Sequence, residues 1–273
     1  MIDPRIVRLG IDVDGSTKFY ENLNISAKGV KFTSANQGQC TITILNLNRE
    51  TREYLMREAN PFNTSNQRKS VVLEVGRESY GTTVLYSGDI FRVFPTEKPD
   101  LGLQIKCITG HFNKGKLVSR SGQELSKLST IASGVATDND LALSFEVPDR
   151  NIANYSFTGS ANAQITKLAE LSESDVYVDN GVLYVKPKGK PKAGATVREL
   201  NKSTGMIGVP KGTENGIKVT MLFDSVSQIG SQLNLTSEIN PVLDGEYTIY
   251  KLEFDITSRD EAFYLNAEAN RIP

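Results

Sequence analysis

The chain has 273 residues, 38% of them hydrophobic and 23% charged, with 31 Lys and Arg set against 32 Asp and Glu. This composition excludes a disordered chain, and a net charge of −1 gives no overall field to draw in nucleic acid or acidic lipid. The length suits two or three domains, on a prior of roughly 100–200 residues each.

In chain order, β patterns come first. Val7 to Val13 alternates, Asp14-Gly15 offers a turn, and Thr17 to Tyr20 leads back. Thr41-Ile42-Thr43-Ile44-Leu45 predicts a strand. Asn48 then serves as N-cap for a helix over Arg49 to Ala59, which Asn60-Pro61 ends. Strands resume at Val71–Val75, Thr83–Tyr86, Ile90–Phe94 and Leu101–Ile108, closing a first unit near Gly110.

The middle changes character. Ser121 and Glu124 have capping-box spacing, and Leu125, Leu128, Ile131 and Val135 follow at helical intervals. A strand over Leu141–Val147 stops at Pro148. Ser160 caps a second helix with Ile165, Leu168 and Leu171 on one face. VYVDNGVLYV, from Val176 to Val185, predicts a hairpin turning at Asn180-Gly181. KPKGKPKAG, Lys186 to Gly194, reads as a solvated loop or linker. Strands return at Ile217–Phe223, Gln232–Thr236, Tyr247–Phe254 and Phe263–Ala267. The order of parts in SGDIFRVFPTEKPDLGLQIKC is echoed in DGEYTIYKLEFDITSRDEAFYLNAE, which suggests two related β units around an insert.

Chemistry-bearing motifs are sparse. GIDVDGST, Gly10 to Thr17, has the D-x-D-G of haloacid-dehalogenase-type phosphatases. That chemistry needs the Asp at the end of a strand in a parallel sheet, whereas the residues that follow read as strands and turns. The same string misplaces Gly15 for a calcium loop. His111 is the sole histidine and reads as a polar residue at a strand end. Cys40 and Cys107, in alternating apolar stretches, read as buried thiols, too few for a disulfide framework or a usual zinc site. Glu253 and Asp255 share one side of a strand and read as surface charges. No G-x-x-x-x-G-K-[ST] or G-x-G-x-x-G string is present. The N-terminal MIDPRIVRLGIDVDG lacks an apolar signal core, and no run nears the ~18 apolar residues of a membrane span. The expectation is a non-enzymatic assembly protein made in a cytoplasm, with no catalytic residue, cofactor, metal or membrane segment.

Two stretches carry a family resemblance. ITILNLNRETREYL resembles the strand-to-helix element of bacteriophage tail proteins, with Asn48 where Ser or Thr is usual. Gly205 to Asp255 resembles the closing domain of baseplate hub proteins of contractile-tailed phages, through G-I-K-V-x-M-L-F, G-S-x-L-x-L-x-S and L-D-G-E-Y. The resemblance implies a mainly β (α+β) fold: two tail-tube-like antiparallel β-barrel domains at 1–110 and 193–273, flanking a small α/β insert at 111–192. It implies a virion structural protein of the tail baseplate, a homotrimer that joins the tail tube protein to a central spike protein and contacts other baseplate proteins. DNA would pass through its channel without specific binding. The helix after Asn48 would pack outside the barrel on Leu55, Tyr54 and Met56, and turn Arg49, Arg52, Glu53 and Arg57 to a partner. The rival readings are a β-rich surface binding or adhesion module for a carbohydrate or protein ligand and the tail tip of a non-contractile phage.

Overall fold

A computed structural model of the chain describes residues 3–272, apart from 14, 61, 64–66, 98 and 99. The first stretch forms β1 (Arg5–Val13), β2 (Ser16–Tyr20), β3 (Ile25–Phe32), β4 (Gln39–Leu45), α1 (Arg49–Glu58), β5 (Ser70–Arg77), β6 (Gly81–Pro95) and β7 (Gly102–Ile108). The middle forms β8 (Leu117–Ser121), β9 (Leu125–Lys127), α2 (Leu128–Asp138), β10 (Ala142–Phe145), β11 (Asn151–Ala153), β12 (Ser156–Ser160), α3 (Ala161–Ser172), β13 (Asp175–Asp179) and β14 (Val182–Lys186). The last stretch forms β15 (Arg198–Leu200), β16 (Met206–Thr213), β17 (Gly216–Leu222), β18 (Gln232–Leu235), β19 (Gly245–Thr257) and β20 (Phe263–Arg271).

The first and last stretches share one sheet. Its order is β16-β17-β20-β19-β3-β4-β7-β6-β5-β1-β2, with β18 pairing β19 and β15 running parallel to β18. The two halves join at β19 and β3, antiparallel from Lys251↔Phe32 to Thr257↔Ser26. The fold is therefore mainly β, as expected. Among the described residues no closed barrel is found: the path has two ends, β2 and β16. One hydrophobic cluster runs beneath both halves, from Leu73, Ile42 and Ile105 to Leu252, Leu265 and Val219.

The middle stretch has its own cluster. Leu128, Ile131 and Val135 of α2, Ile165 and Leu168 of α3, and Val176, Leu183 and Val185 of the β13–β14 hairpin bury one another. Asn180 (φ +47°) and Gly181 (φ +81°) make its two-residue turn, as the Asn-Gly pair dictates. Ser160 caps α3, accepting from the Ala163 N–H at 3.2 Å.

Several local expectations give way to tertiary structure. The Ser121–Glu124 capping box does not form. Ser121 ends β8, Leu125 is an exposed residue of β9, and α2 starts only at Leu128. Its N-terminus is held by Asp149, which accepts from the Ser129 N–H (3.0 Å) and hydroxyl (2.7 Å). The two strands expected at Thr83–Tyr86 and Ile90–Phe94 are one strand, β6, bridging β5 and β7. The Asp14-Gly15 turn falls partly outside the described residues, since Asp14 is not among them, and so does Pro61. β1 is antiparallel to both β2 and β5, so the parallel sheet that a phosphatase Asp12 requires is not there.

Lysine 186 also corrects the reading of 186–194 as a solvated loop. It closes β14 with its side chain fully buried, donating to Asp175 Oδ2 (2.8 Å) and the Lys190 carbonyl (2.6 Å). Lys192 reaches Gln228 Oε1 at 3.1 Å, and burial lowers its pKa. Of the four lysines only Lys188 and Lys190 are exposed, while residues 187–194 form no helix or strand, as a loop should.

The hairpin touches both halves of the sheet. A β-bulge leaves Leu85 without a partner between Leu73↔Tyr86 and Glu74↔Val84. The freed Leu85 carbonyl accepts from Lys31 Nζ at 2.8 Å, and the Val84 carbonyl accepts from Asn180 Nδ2 at 3.1 Å. Lys31 also ion-pairs with Asp179, both side chains being buried. On the other side, Tyr177 belongs to the large cluster beneath the sheet, and the Lys192 N–H donates to the Gly230 carbonyl at 2.9 Å.

Candidate functional site

Two surfaces offer themselves: the outer face of α1 and the polar face of the shared sheet. At the β4–α1 junction Asn46 takes a left-handed conformation, φ +58°, one that Asn tolerates better than most residues. Its N–H donates to the Leu101 carbonyl at 2.9 Å. The turn delivers Asn48, whose side chain accepts from the Thr51 N–H at 2.8 Å. Leu55 and Thr51 are buried, Tyr54 and Met56 pack partly against the core, and the Thr51 and Tyr20 hydroxyls lie 2.8 Å apart.

The four residues expected at an interface divide. Arg49, Glu53 and Arg57 are exposed, while Arg52 is half-buried. Arg49 Nε pairs with Glu53 Oε1 at 2.6 Å, one helical turn on. That bond, with the Glu53 charge, raises the Arg49 pKa. Arg57 lies over the Tyr54 ring, 5.8 Å from its centroid, and contacts Glu58 at 3.2 Å. Exposed i,i+4 pairs add little to stability, so the outer face of α1 is available for contact rather than needed for the fold.

The sheet face is more extensive. One row across the strands runs Tyr264–Asp255–Lys28–Thr41–Lys106–Arg92, and another runs Lys211–Lys218–Glu268–Lys251. Both lie opposite the buried Ile42, Ile105, Leu252 and Leu265 because successive side chains alternate. Lys28 pairs with Asp255 at 2.8 Å. Lys251 pairs with Glu253 (2.8 Å) and Glu268 (3.0 Å), and Lys218 meets Glu268 at 3.4 Å. Tyr250 donates to Glu268 (3.0 Å) and Tyr264 to Asp255 (3.4 Å). Lys106 lies 5.4 Å above the Phe94 ring.

These contacts tune the charges. The hydrogen bond to Asp255 raises the Lys28 pKa, and the bond to Glu253 raises that of Lys251. Desolvation pushes the Glu268 carboxyl up, but the bonds from Lys251 and Tyr250 outweigh it and the net shift is downward. Of the six cations in these rows, Lys28, Lys218 and Lys251 are paired with acidic neighbours, while Lys106, Arg92 and Lys211 join no ion pair found among the described residues. Of these residues, sequence reading singled out Glu253 and Asp255 as surface charges on one side of a strand. It missed their lysine partners, which become visible only once the β19–β3 and β19–β20 registers are known.

His111 follows β7, its ring 5.5 Å from Phe91, and burial lowers its pKa. Among the described residues no group of three or more His, Cys, Asp or Glu side chains is placed to hold a metal ion. No helix among them is long and apolar enough to cross a membrane.

Comparison with known proteins places this architecture. The family described as Baseplate hub gp41 matches residues 6–269. The chain belongs to that family. It is a phage tail structural protein, and the family places it in the virion tail. Solved structures share the fold of this hub-family chain. A tail protein from Neisseria meningitidis MC58 matches with TM-score 0.66 at 8% identity, over 97% of this chain and 96% of that one. The 43 kDa tail protein of prophage MuSo2 from Shewanella oneidensis matches with TM-score 0.64 at 10% identity, over 97% and 98%. The E. coli c3393 protein matches with TM-score 0.63 at 10% identity, over 96% and 77%. It is described as a component of the type VI secretion system with structural similarity to T4 bacteriophage tail proteins gp27 and gp5. No curated protein matches the sequence.

Proposed function

We propose that three copies of this chain form the hub of a tail baseplate, joining the tail tube above to a central spike below, with DNA passing through the middle. The two halves of the shared sheet, residues 1–110 and 193–273, act as two tube-like units, and 111–192 is an insert seated against both. Three copies then present six units, which adapts a sixfold tube to a threefold spike. The free edges of the sheet, β2, β16 and β15, are covered at subunit borders, because exposed sheet edges invite pairing.

The observation that carries this reading is the continuous polar face across β17, β20, β19, β3, β4 and β7. We assign it to the channel. A wall meant for passing DNA must be wet yet must not hold phosphate, since each lysine that neutralises a phosphate adds to affinity. Here Lys28, Lys218 and Lys251, half of the six cations in the two rows, are already engaged by Asp255, Glu253 and Glu268, which lowers the number left to meet phosphate. On the outside, Arg49, Arg52, Glu53 and Arg57 of α1 face a neighbouring baseplate protein.

The test is the native mass of the purified chain over a concentration series, with class averages of negatively stained particles, alone and with its spike. A trimeric ring of pseudo-sixfold outline supports the hub. A chain that stays monomeric with its spike present overturns it.

A further inference from the structure

Cys40 and Cys107 are the only cysteines in the sequence, and the fold sets them directly opposite each other on neighbouring strands, β4 and β7. Both are free and buried on the core side of the sheet, 2% and 1% exposed. Their position in the ladder follows from its hydrogen bonds. The Thr109 N–H donates to the Gly38 carbonyl and the Asn46 N–H to the Leu101 carbonyl, each at 2.9 Å. Hydrogen-bonded pairs recur every second residue along antiparallel strands, so Cys40–Cys107 is one of them.

Opposed residues of that kind have Cα atoms about 5.5 Å apart, inside the roughly 4.4–6.8 Å that a disulfide spans. Their Cβ atoms start near the wide end of the about 4.5–5.5 Å found for opposed residues, the short end belonging to non-hydrogen-bonded pairs, and must close to about 3.8 Å. The bond can therefore form with a local pinch of the two strands, and that strain leaves it open to reduction.

We propose that Cys40 and Cys107 are a redox site, forming a reversible cross-strand disulfide that staples β4 to β7 at the middle of the shared sheet. The oxidant is a small disulfide such as oxidised glutathione. The Cys40 thiolate attacks one of its sulfurs, giving a mixed disulfide and releasing one glutathione. The Cys107 thiolate then displaces the second glutathione and closes the bond. Two thiols lose two electrons, one glutathione disulfide gains them, and the two thiol protons end on two reduced glutathiones.

In the folded chain the surroundings keep both thiols protonated. Burial raises the pKa of both thiols, but the Lys31 ammonium works against that at Cys40, while Cys40 itself and Asp89 add to it at Cys107. Because both thiols are buried, exchange proceeds when β4 and β7 separate, during folding or local opening. A chain made in a reducing cell keeps its thiols, and oxidising surroundings close the staple. This inference does not depend on the hub reading.

The experiment incubates the full chain in sub-denaturing urea with excess oxidised glutathione, refolds it by dilution, removes the glutathione, then unfolds it in concentrated urea with iodoacetamide to block every free thiol and measures the intact mass. The expected product has lost two hydrogen atoms, takes up no iodoacetamide, melts several degrees higher and reverts with excess reduced glutathione. Under the same treatment Cys107→Ala is expected to carry one glutathione on Cys40, which shows that the oxidant reaches the site. Wild-type chain that still alkylates at both cysteines, or that carries two glutathiones without closing, overturns the proposal.

Discussion

Replacing Asp179 by Asn tests how the insert is fastened to the sheet. Lys31 and Asp179 are 9% and 4% exposed at their side chains, so the substitution strands an ammonium group whose remaining bond is to the Leu85 carbonyl. Removing one partner of a buried pair costs about 3–5 kcal/mol, much more than the pair contributes relative to apolar residues. At about 2–4 °C per kcal/mol for a chain of this size, the melting temperature should fall by roughly 6–20 °C. The double variant Lys31→Met with Asp179→Leu removes both charges. It should recover most of the loss, falling short by about 1 kcal/mol because the Leu85 carbonyl loses its donor. Urea unfolding followed by circular dichroism compares the three chains. The reasoning fails if Asp179→Asn lies within about 1 kcal/mol of the parent, a difference typical of an exposed pair. It also fails if the double variant is as weak as the single one.

Three further outcomes follow from individual residues. Asn48→Ala removes the cap of α1 and should cost about 1 kcal/mol in urea unfolding, whereas Arg49→Ala should leave the unfolding midpoint unchanged and alter only assembly. Gly76→Ala puts a Cβ 1.9 Å from the Gly81 carbonyl oxygen; the β5–β6 hairpin must shift, at about 1–3 kcal/mol, and a variant of parental stability would show that the hairpin is looser than described. The Glu268 carboxyl is lower in the folded chain than in the unfolded one. Its contribution is therefore fully present above the unfolded value of about 4.3 and is lost as pH falls through the lower folded value. Melting temperatures measured against pH should drop across that window, and Glu268→Gln should flatten the drop.

What the sequence made legible follows from how local each signal is. The strand-to-helix step at Asn48, the Asn180-Gly181 hairpin and the Ser160 cap are each decided within a few residues, and each forms as expected. β3 was hidden because its inward positions run Ile25, Ala27, Gly29 and Lys31, so the apolar alternation fades. A lysine there is tolerable only because Asp179, far along the chain, meets it. β6 looked like two strands because Ser87-Gly88-Asp89 reads as a turn. In the fold Asp89 is buried and held by Arg68 at 2.7 Å, and the strand continues. The Ser121 cap failed for a related reason: Asp149, more than twenty residues downstream, supplies the acceptor instead. The polar face was half legible. Its alternation showed in Glu253 and Asp255, but a row of ion pairs across β20, β19 and β3 is a property of register, which no local pattern encodes.

The central claim is that this polar face lines the channel of a trimeric hub. A cryo-EM reconstruction of the tail containing this chain tests it most directly. The account predicts Lys28, Asp255, Lys251 and Glu268 on the wall of the central channel, with α1 on the outer surface against a neighbouring protein. A reconstruction with α1 toward the axis, or with that sheet face buried against another subunit, would contradict it.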